Sequence, residues 1–167
     1  AFSTTATWLH DFDVFTEDRQ PIDLDAVSAR FQDALLAIWQ RRAEDDALNK
    51  LVLSADLTWR QVALLRSYGQ YLKQAAFSHG QKTIHSVLTS YPDISRALWT
   101  LFAARFNPAY DAEAQAQAQN ALDTAMQKLT TLRDDKVFSQ FKALLLATRR
   151  SNYFQEKPYI SFKLDSG

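Results

Sequence analysis

Three histidines and several pairs of charged residues are the side chains of this sequence that could do chemistry. His10 precedes Asp11, and a carboxylate beside an imidazole could orient it as a general base. Adjacent residues of an extended segment point to opposite faces, so these two side chains would not easily converge. His79 and His85 are six residues apart, unlike the i, i+4 spacing of metal ligands on one helix face. We therefore predict structural roles for all three histidines.

Charged pairs at predicted helix ends suggest electrostatic roles rather than catalysis. Asp134 and Asp135 lie where negative charge stabilises a helix N-terminus, so we interpret them as a cap and not as a catalytic pair. Arg149 and Arg150 lie near a predicted helix C-terminus and complement its dipole there. The alternative is that these two arginines clamp an anion. Glu44, Asp45 and Asp46 form an acidic run, and we interpret this run as a solvated helix end and turn.

The glycine and cysteine counts exclude several classes of binding site. The three glycines, Gly69, Gly80 and Gly167, are too far apart for a G-x-G-x-x-G turn or a P-loop. The chain has no cysteine, which excludes disulfides, thiolate catalysis and cysteine-based zinc sites. We therefore predict no catalytic residue, no cofactor-binding residue and no metal ligand in this sequence.

Charge and hydropathy restrict the partners of the chain. Lys and Arg total 19 and Asp and Glu also total 19, and this zero net charge argues against a nucleic-acid partner. No apolar run approaches the length of a membrane span, and the start AFSTTATWLHDFD lacks the regions of a signal peptide. We therefore expect a cytoplasmic protein with no membrane partner. Because an initiator methionine is also missing, we expect a piece of a longer chain.

Helical periodicity dominates the middle of the chain. Thr58 with Gln61 forms a capping-box pattern at the start of the clearest helix, and Ser78 with Gln81 repeats the pattern. Gly69 inside that helix costs about 1 kcal/mol relative to alanine, so we expect another helix to pack close against it. These patterns predict a mainly α fold, a multi-helix bundle of about six or seven helices with short extended or strand segments at the two ends.

Capping residues and apolar spacing locate the first and last helices. Asp23 or Asp25 can cap the first helix, and Pro92 suits the first turn of a later one. The last helix is predicted to finish near Arg149 and Arg150. The first helix carries an apolar stripe at helical spacing, formed by Val27, Phe31, Leu35, Ile38 and Trp39.

Both ends of the sequence are predicted to be extended. The stretch TWLHDFDVF at residues 7–15 mixes aromatic and β-branched residues, which weakly favours a strand. Near the other end Ile160, Phe162 and Leu164 alternate with polar residues, the pattern of a half-buried strand. A strand needs a partner for its backbone groups. This one could lie across the helices, pair with residues 11–15, or pair with a neighbouring molecule.

The order of motifs resembles the large NAD-dependent glutamate dehydrogenases of bacteria. The resemblance covers nearly the whole chain and is weakest in the Ala/Gln-rich stretch at residues 111–120. The most specific pieces are LTWRQVALLRSYGQYLKQ and KPYISFKLDS. The resemblance also includes four other pieces. In chain order they are TWLHDFDV, RFQDALLAIWQRRAEDDALNKLVLSAD (which leads directly into LTWRQVALLRSYGQYLKQ), SYPDISRALWTLFAARFNP and KALLLATRRSNYFQ.

The resemblance implies a piece of a very long enzyme. Residues 1–20 would be the extended tail of a preceding domain, 21–156 a helical domain, and 157–167 the first strand leading into the catalytic domain. The partners of that strand would then lie outside this sequence. The residues expected to contact neighbouring domains are Trp8, Phe12, Tyr159, Ile160, Phe162 and Leu164.

The same resemblance implies the chemistry of the whole enzyme. Such an enzyme would oxidise L-glutamate with NAD to 2-oxoglutarate, ammonia and NADH, and would be a homo-oligomer. The family's site lysines and dinucleotide-binding glycines match nothing here, so this segment is expected to bind no cofactor and to be inactive alone. Its partners would be the catalytic and regulatory domains of the same polypeptide. The alternatives are a free-standing helical protein-interaction module and a small enzyme with His10 or Arg149 in a concave pocket.

Overall fold

Seven α-helices and one small sheet make up residues 23–75 and 77–165, the part of the chain that the computed structural model describes. The predicted mainly α fold with six or seven helices is confirmed. Two 3-10 turns, Ala47–Lys50 and Tyr153–Gln155, and two strands, β1 (Thr148–Ser151) and β2 (Phe162–Leu164), complete these elements. The helices are α1 (Leu24–Trp39), α2 (Leu51–Ser54), α3 (Trp59–Gln74), α4 (Gln81–Ser90), α5 (Pro92–Phe106), α6 (Ala112–Met126) and α7 (Leu132–Ala147).

Side-chain caps explain where helices begin. The Thr58 hydroxyl accepts a hydrogen bond from the Gln61 amide at 3.3 Å, and Gln61 Oε1 accepts one from the Thr58 amide at 2.8 Å. The predicted capping box of α3 is therefore confirmed. The second predicted box is wrong, because Gly80 is the N-cap of α4 and makes no side-chain cap. Since α4 begins only at Gln81, Ser78 lies outside its first turn.

The core forms where α3, α4, α5 and α7 meet. A Cβ placed on Gly69 of α3 would lie 3.5 Å from Cγ2 of Ile84 on α4 and 3.7 Å from Cζ of Phe141 on α7. The predicted close packing against Gly69 is confirmed, and two helices provide it. The largest fully buried side chains are Tyr68, Phe102, Phe138, Phe141, Leu48, Leu51, Leu57, Leu64, Leu65, Ile84, Leu88 and Leu98.

The C-terminal strand finds its partner within the chain. Strands β1 and β2 are antiparallel, with Thr148 opposite Leu164 and Ser151 opposite Phe162. The expectation that the partners of this strand lie outside the sequence is therefore wrong for one of its two edges. The ring of Phe162 stacks on Tyr68 of α3 with centroids 4.5 Å apart, so apolar contact holds β2 on the helical core.

The segment after α7 also departs from the sequence prediction. Helix α7 ends at Ala147, and Arg149 and Arg150 lie in β1 rather than in a last helical turn. Both residues follow the C-cap of α7 directly, and their interaction with the helix dipole stays a prediction. Because Thr148 is extended and its side chain is buried, the chain leaves the helix there and continues along the sheet.

Several expectations fall outside the described residues. They concern the extended tail at residues 1–20, His10 with Asp11, and the contact residues Trp8 and Phe12. The expected pairing of strand β2 with residues 11–15 also falls outside the described residues. These expectations stay predictions, as does the division of the chain at residues 20 and 156.

Candidate functional site

The two arginines predicted as an alternative anion clamp are neighbours in strand β1. Arg149 Nε donates to Asp165 Oδ2 at 3.0 Å, and the two groups form an ion pair along the sheet. Arg150 is exposed and follows Arg149 directly in β1, where the register of the two strands shifts between Thr148 and Arg150. Asp165 therefore already engages Arg149, and the joint action of the two arginines on an anion stays a prediction.

The two described histidines lie in separate surroundings. His79 packs beside Phe77 with ring centroids 5.2 Å apart, and His85 Nε2 lies 3.2 Å from Gln81 Nε2. Burial lowers the pKa of His85, which favours its neutral form. Across residues 23–75 and 77–165, no group of three or more His, Asp or Glu side chains could hold a metal ion.

The acidic run before α2 contains a structural ion pair that the sequence interpretation missed. Arg66 of α3 is buried, and its Nε and Nη2 donate to the two carboxylate oxygens of Asp46 at 2.6 and 2.8 Å. Arg66 Nη2 also donates to Asn49 Oδ1 at 3.0 Å, and Asp46 caps the 3-10 turn by accepting from Leu48 N at 2.9 Å. The interpretation of Asp46 as part of a solvated turn is therefore wrong.

The electrostatics of this pair favour the ionised carboxylate. Burial opposes the charged form of Asp46, but the hydrogen bonds and the charge of Arg66 outweigh burial and lower the pKa of Asp46. No local pattern signals such a pair, since the two residues are twenty positions apart and belong to different elements.

The acidic pair of α7 occupies the first helical turn, as predicted from its sequence position. Thr131 is the N-cap of this helix, and its hydroxyl accepts from the amide of Asp134 at 3.1 Å. The buried Asp134 carboxylate accepts from the Tyr91 hydroxyl at 3.1 Å and from Arg133 Nε at 2.8 Å. This carboxylate therefore stabilises the helix start and its contact with Tyr91, the N-cap of α5.

A groove of about 810 Å³ opens between the end of α1, the start of α3 and the segment at residues 156–160. Four basic and two acidic side chains line it, and we call it the cationic groove. This size lies within the range of roughly 300–1,000 Å³ that is typical of ligand sites. Its lining residues are Asp33, Arg41, Arg42, Trp59, Arg60, Ala63, Ser67, Glu156, Lys157, Pro158 and Ile160.

The end of α1 directs two arginines into the cationic groove. The amide of Arg42 donates to the Ala37 carbonyl at 2.8 Å, and that of Arg41 donates to the Ile38 carbonyl at 2.9 Å. These bonds form a Schellman motif, in which the residue after the C-cap is left-handed and usually glycine. Here that residue is Arg41, with φ of 57°. A non-glycine residue costs about 1–2 kcal/mol in this conformation.

Aromatic rings beneath the guanidinium groups hold two arginines of the cationic groove in place. The guanidinium groups of Arg42 and Arg60 lie over the ring of Trp59, at 5.3 and 5.8 Å from its centroid. Arg60 also lies over the ring of Tyr153 at 5.5 Å and donates to the backbone carbonyls of Tyr153 and Lys157 at 3.5 and 3.3 Å. These contacts preorganise the Arg60 side chain at one wall of the groove.

Helix α1 exposes an apolar face. The predicted apolar stripe of this helix includes Leu35 and Trp39. In the structure Leu35, Leu36 and Trp39 are 45%, 52% and 76% exposed, so this part of the stripe does not pack on the core of the chain. The buried face of α1 is formed instead by the small side chains of Ala34 and Ala37.

The described residues predicted to contact other domains have different surroundings. Tyr159 is exposed, Leu164 is half-buried, and Ile160 and Phe162 pack against the core of this chain. A domain contact through any of them stays a prediction. Sequence inspection missed the cationic groove, because its residues come from three separate segments.

The helical segment of this chain is similar to known proteins. Residues 43–108 match the family described as "Glutamate dehydrogenase, helical motif 3", and this stretch contains α2 to α5. The NAD-specific glutamate dehydrogenase of Halomonas elongata is 36% identical over 98% of this chain. The chain belongs to the NAD-specific glutamate dehydrogenase family. The predicted resemblance is confirmed.

Other members of the NAD-specific glutamate dehydrogenase family show the same partial match. The protein of Mycobacterium tuberculosis is 39% identical over 88% of this chain, and that of Pseudomonas aeruginosa is 35% identical over 95%. The chain spans only 11%, 10% and 10% of the lengths of the Halomonas, Mycobacterium and Pseudomonas relatives. No solved structure matches the chain. None of the described helices is long and apolar enough to span a membrane.

Proposed function

We propose that this chain is a non-catalytic helical segment of a NAD-specific glutamate dehydrogenase and contacts other domains of the same polypeptide. The whole enzyme would oxidise L-glutamate with NAD to 2-oxoglutarate, ammonia and NADH. The proposal assigns no part of the NAD site to this segment, and it includes the homo-oligomeric assembly that the motifs suggested. The relatives are about ten times longer than this chain, so most of such a polypeptide is available as a partner.

The exposed apolar face of α1 is the observation that supports this role. Leu35, Leu36 and Trp39 lie together near the end of one helix, and Trp39 leaves 76% of its surface exposed. Tryptophan is enriched at the centres of protein interfaces, and clustered exposed apolar side chains mark interaction sites. Arg41 and Arg42 of the cationic groove follow Trp39 by only two and three residues, and charged residues are typical of the rim around an apolar interface core.

Radical footprinting of the full-length polypeptide and of this chain alone tests the proposed contact. We expect oxidation of Trp39 to be much slower in the full-length polypeptide, because the neighbouring domain would cover the α1 face. Leu132 at the start of α7 is the control, since it is 83% exposed and should react equally in both samples. Equal oxidation of Trp39 in the two samples would contradict the proposal. Protection that disappears on dilution would assign the α1 face to a second copy instead.

A further inference from the structure

The arginines of residues 23–75 and 77–165 fall into two groups. One group has a carboxylate within ion-pair distance and consists of Arg30, Arg66, Arg96, Arg133 and Arg149. The other group has no carboxylate partner among these residues and consists of Arg41, Arg42, Arg60, Arg105 and Arg150. Three of the second group line the cationic groove. Uncompensated positive charge is therefore concentrated there.

The groove keeps a positive excess after its own acidic residues are counted. Lys157 adds a fourth cation, whereas Asp33 and Glu156 are the acidic residues of the lining. Like charges at close range raise the free energy of a site until an anion neutralises them. The left-handed backbone at Arg41 and at Glu156, with φ of 57° and 53°, adds local strain on two sides of the groove.

The contacts of the guanidinium groups indicate which anion fits. The ring of Trp59 packs on the core and already lies under Arg42 and Arg60, so little of it is free to stack with an aromatic ligand. Within residues 23–75 and 77–165, hydrogen bonds engage only Arg42 Nε and two terminal nitrogens of Arg60, so these groove guanidinium groups keep unused N–H donors there. Arginine donors match the geometry of carboxylates and phosphates, and of these two anions the carboxylate is the one that a polypeptide itself supplies.

We propose that the cationic groove binds a carboxylate-rich segment of the same polypeptide, from outside residues 23–165. The segment's assignment to the same polypeptide rests on the proposed function, in which this chain is part of a much longer enzyme. Charge complementarity selects such a partner and orients it along the groove. Within the printed sequence, DFDVFTED at residues 11–18 has the expected composition, with four carboxylates and no basic side chain.

Zero-length carbodiimide coupling of the full-length polypeptide, read by mass spectrometry, tests this assignment. The reagent joins an amine to a carboxylate that it already contacts, and Lys157 supplies an amine in the groove. We expect Lys157 to couple to Asp or Glu residues outside residues 23–165, and to do so less at high salt because exposed ion pairs are screened. Lys73, exposed at the end of α3 and away from the groove lining, is the control and should not form these products.

The double variant Arg41→Asn, Arg42→Gln makes the test specific for the groove. Asparagine is chosen because it tolerates the left-handed backbone of Arg41. The loss of an exposed ion pair worth up to about 1 kcal/mol should reduce the yield of the Lys157 product about fivefold. The control Arg150→Gln removes an exposed cation of β1 and should leave the yield unchanged. Circular dichroism confirms that each variant is folded.

Three results would overturn the assignment of the groove. One is the absence of a Lys157 product outside residues 23–165, and another is a yield that the double variant does not change. The third is a product that forms only between isotopically distinguished copies, which would identify a second molecule as the partner. If Trp39 is still protected in the footprinting experiment, such a result overturns the groove assignment alone and leaves the proposed contact role intact.

Discussion

The hydroxyl groups of Tyr68 and Thr148 lie 2.8 Å apart in the core, where they join helix α3 to the first residue of strand β1. Thr148 Oγ1 donates to the carbonyl of Leu144 at 2.7 Å, so Tyr68 is the donor between the two hydroxyls. Burial raises the pKa of Tyr68, which keeps this donor protonated. Because Phe162 of β2 stacks on the same ring, Tyr68 contacts both strands of the sheet.

Substitution of either hydroxyl should destabilise the protein, and by different amounts. Tyr68→Phe removes a donor and should lower the free energy of unfolding by about 1 kcal/mol. Thr148→Val should cost more, about 1–3 kcal/mol, because it leaves the buried Tyr68 hydroxyl without an acceptor. Urea denaturation measures both values. A smaller loss for Thr148→Val than for Tyr68→Phe would contradict the assigned direction of the bond.

Asp46→Asn should weaken the attachment of the segment before α2 to α3. Breaking a fully buried ion pair costs about 3–5 kcal/mol, and we expect about 2–3 kcal/mol here because the Asp46 side chain is 19% exposed. The neighbouring exposed residue supplies the control, Asp45→Asn, which should change the free energy of unfolding by less than about 0.5 kcal/mol. Chemical denaturation at neutral pH gives both numbers.

The contribution of Asp46 should also depend on pH. The pKa of its carboxyl is lower in the folded state than in the unfolded chain, so its contribution is complete above the unfolded value of about 4. That contribution is lost as the pH falls through the lowered pKa. The stability difference between the natural protein and Asp46→Asn should therefore shrink in acid. A difference that stays constant from neutral pH down to pH values below about 4 would refute this linkage.

Gly69→Ala should stabilise the protein slightly. The added methyl group would make ordinary contacts with Ile84 and Phe141, at 3.5 and 3.7 Å, and alanine favours a helix over glycine by about 1 kcal/mol. We expect thermal and urea unfolding to show a gain of up to that amount. Gly69→Val is the informative contrast, since its extra methyl groups should overpack the site and cost about 1–3 kcal/mol. Equal effects of the two substitutions would show that the space beside Gly69 does not limit packing.

This chain alone should not bind NAD or reduce it with glutamate. Its glycines are separated and cannot form the backbone cradle that a dinucleotide pyrophosphate requires. Calorimetric titration with NAD should show no saturable heat, while a full-length NAD-specific glutamate dehydrogenase measured in parallel provides the positive control. Stoichiometric, tight binding of NAD to this chain would contradict the prediction.

Local patterns in the sequence were sufficient for the helical class of the fold and for the family. The capping box of Thr58 and Gln61 involves residues three positions apart, and the cost of Gly69 in a helix depends on backbone conformation alone. Such features act over a single turn, so their outcome follows from neighbouring residues. The ordered motifs likewise lie along the sequence, and they indicated the glutamate dehydrogenase family before any contact was known.

Only the tertiary structure decided which of these elements meet. Strand β2 was predicted from its alternation, but its pairing with residues 148–151 depends on the contact of Phe162 with Tyr68, 94 positions earlier in the chain. Helical spacing placed Trp39 in an apolar stripe but could not show which side of α1 faces the core. The cationic groove combines three distant segments in the same way. Burial, pairing and charge concentration depend on residues far apart in sequence, and folding alone brings them within a few ångströms of one another.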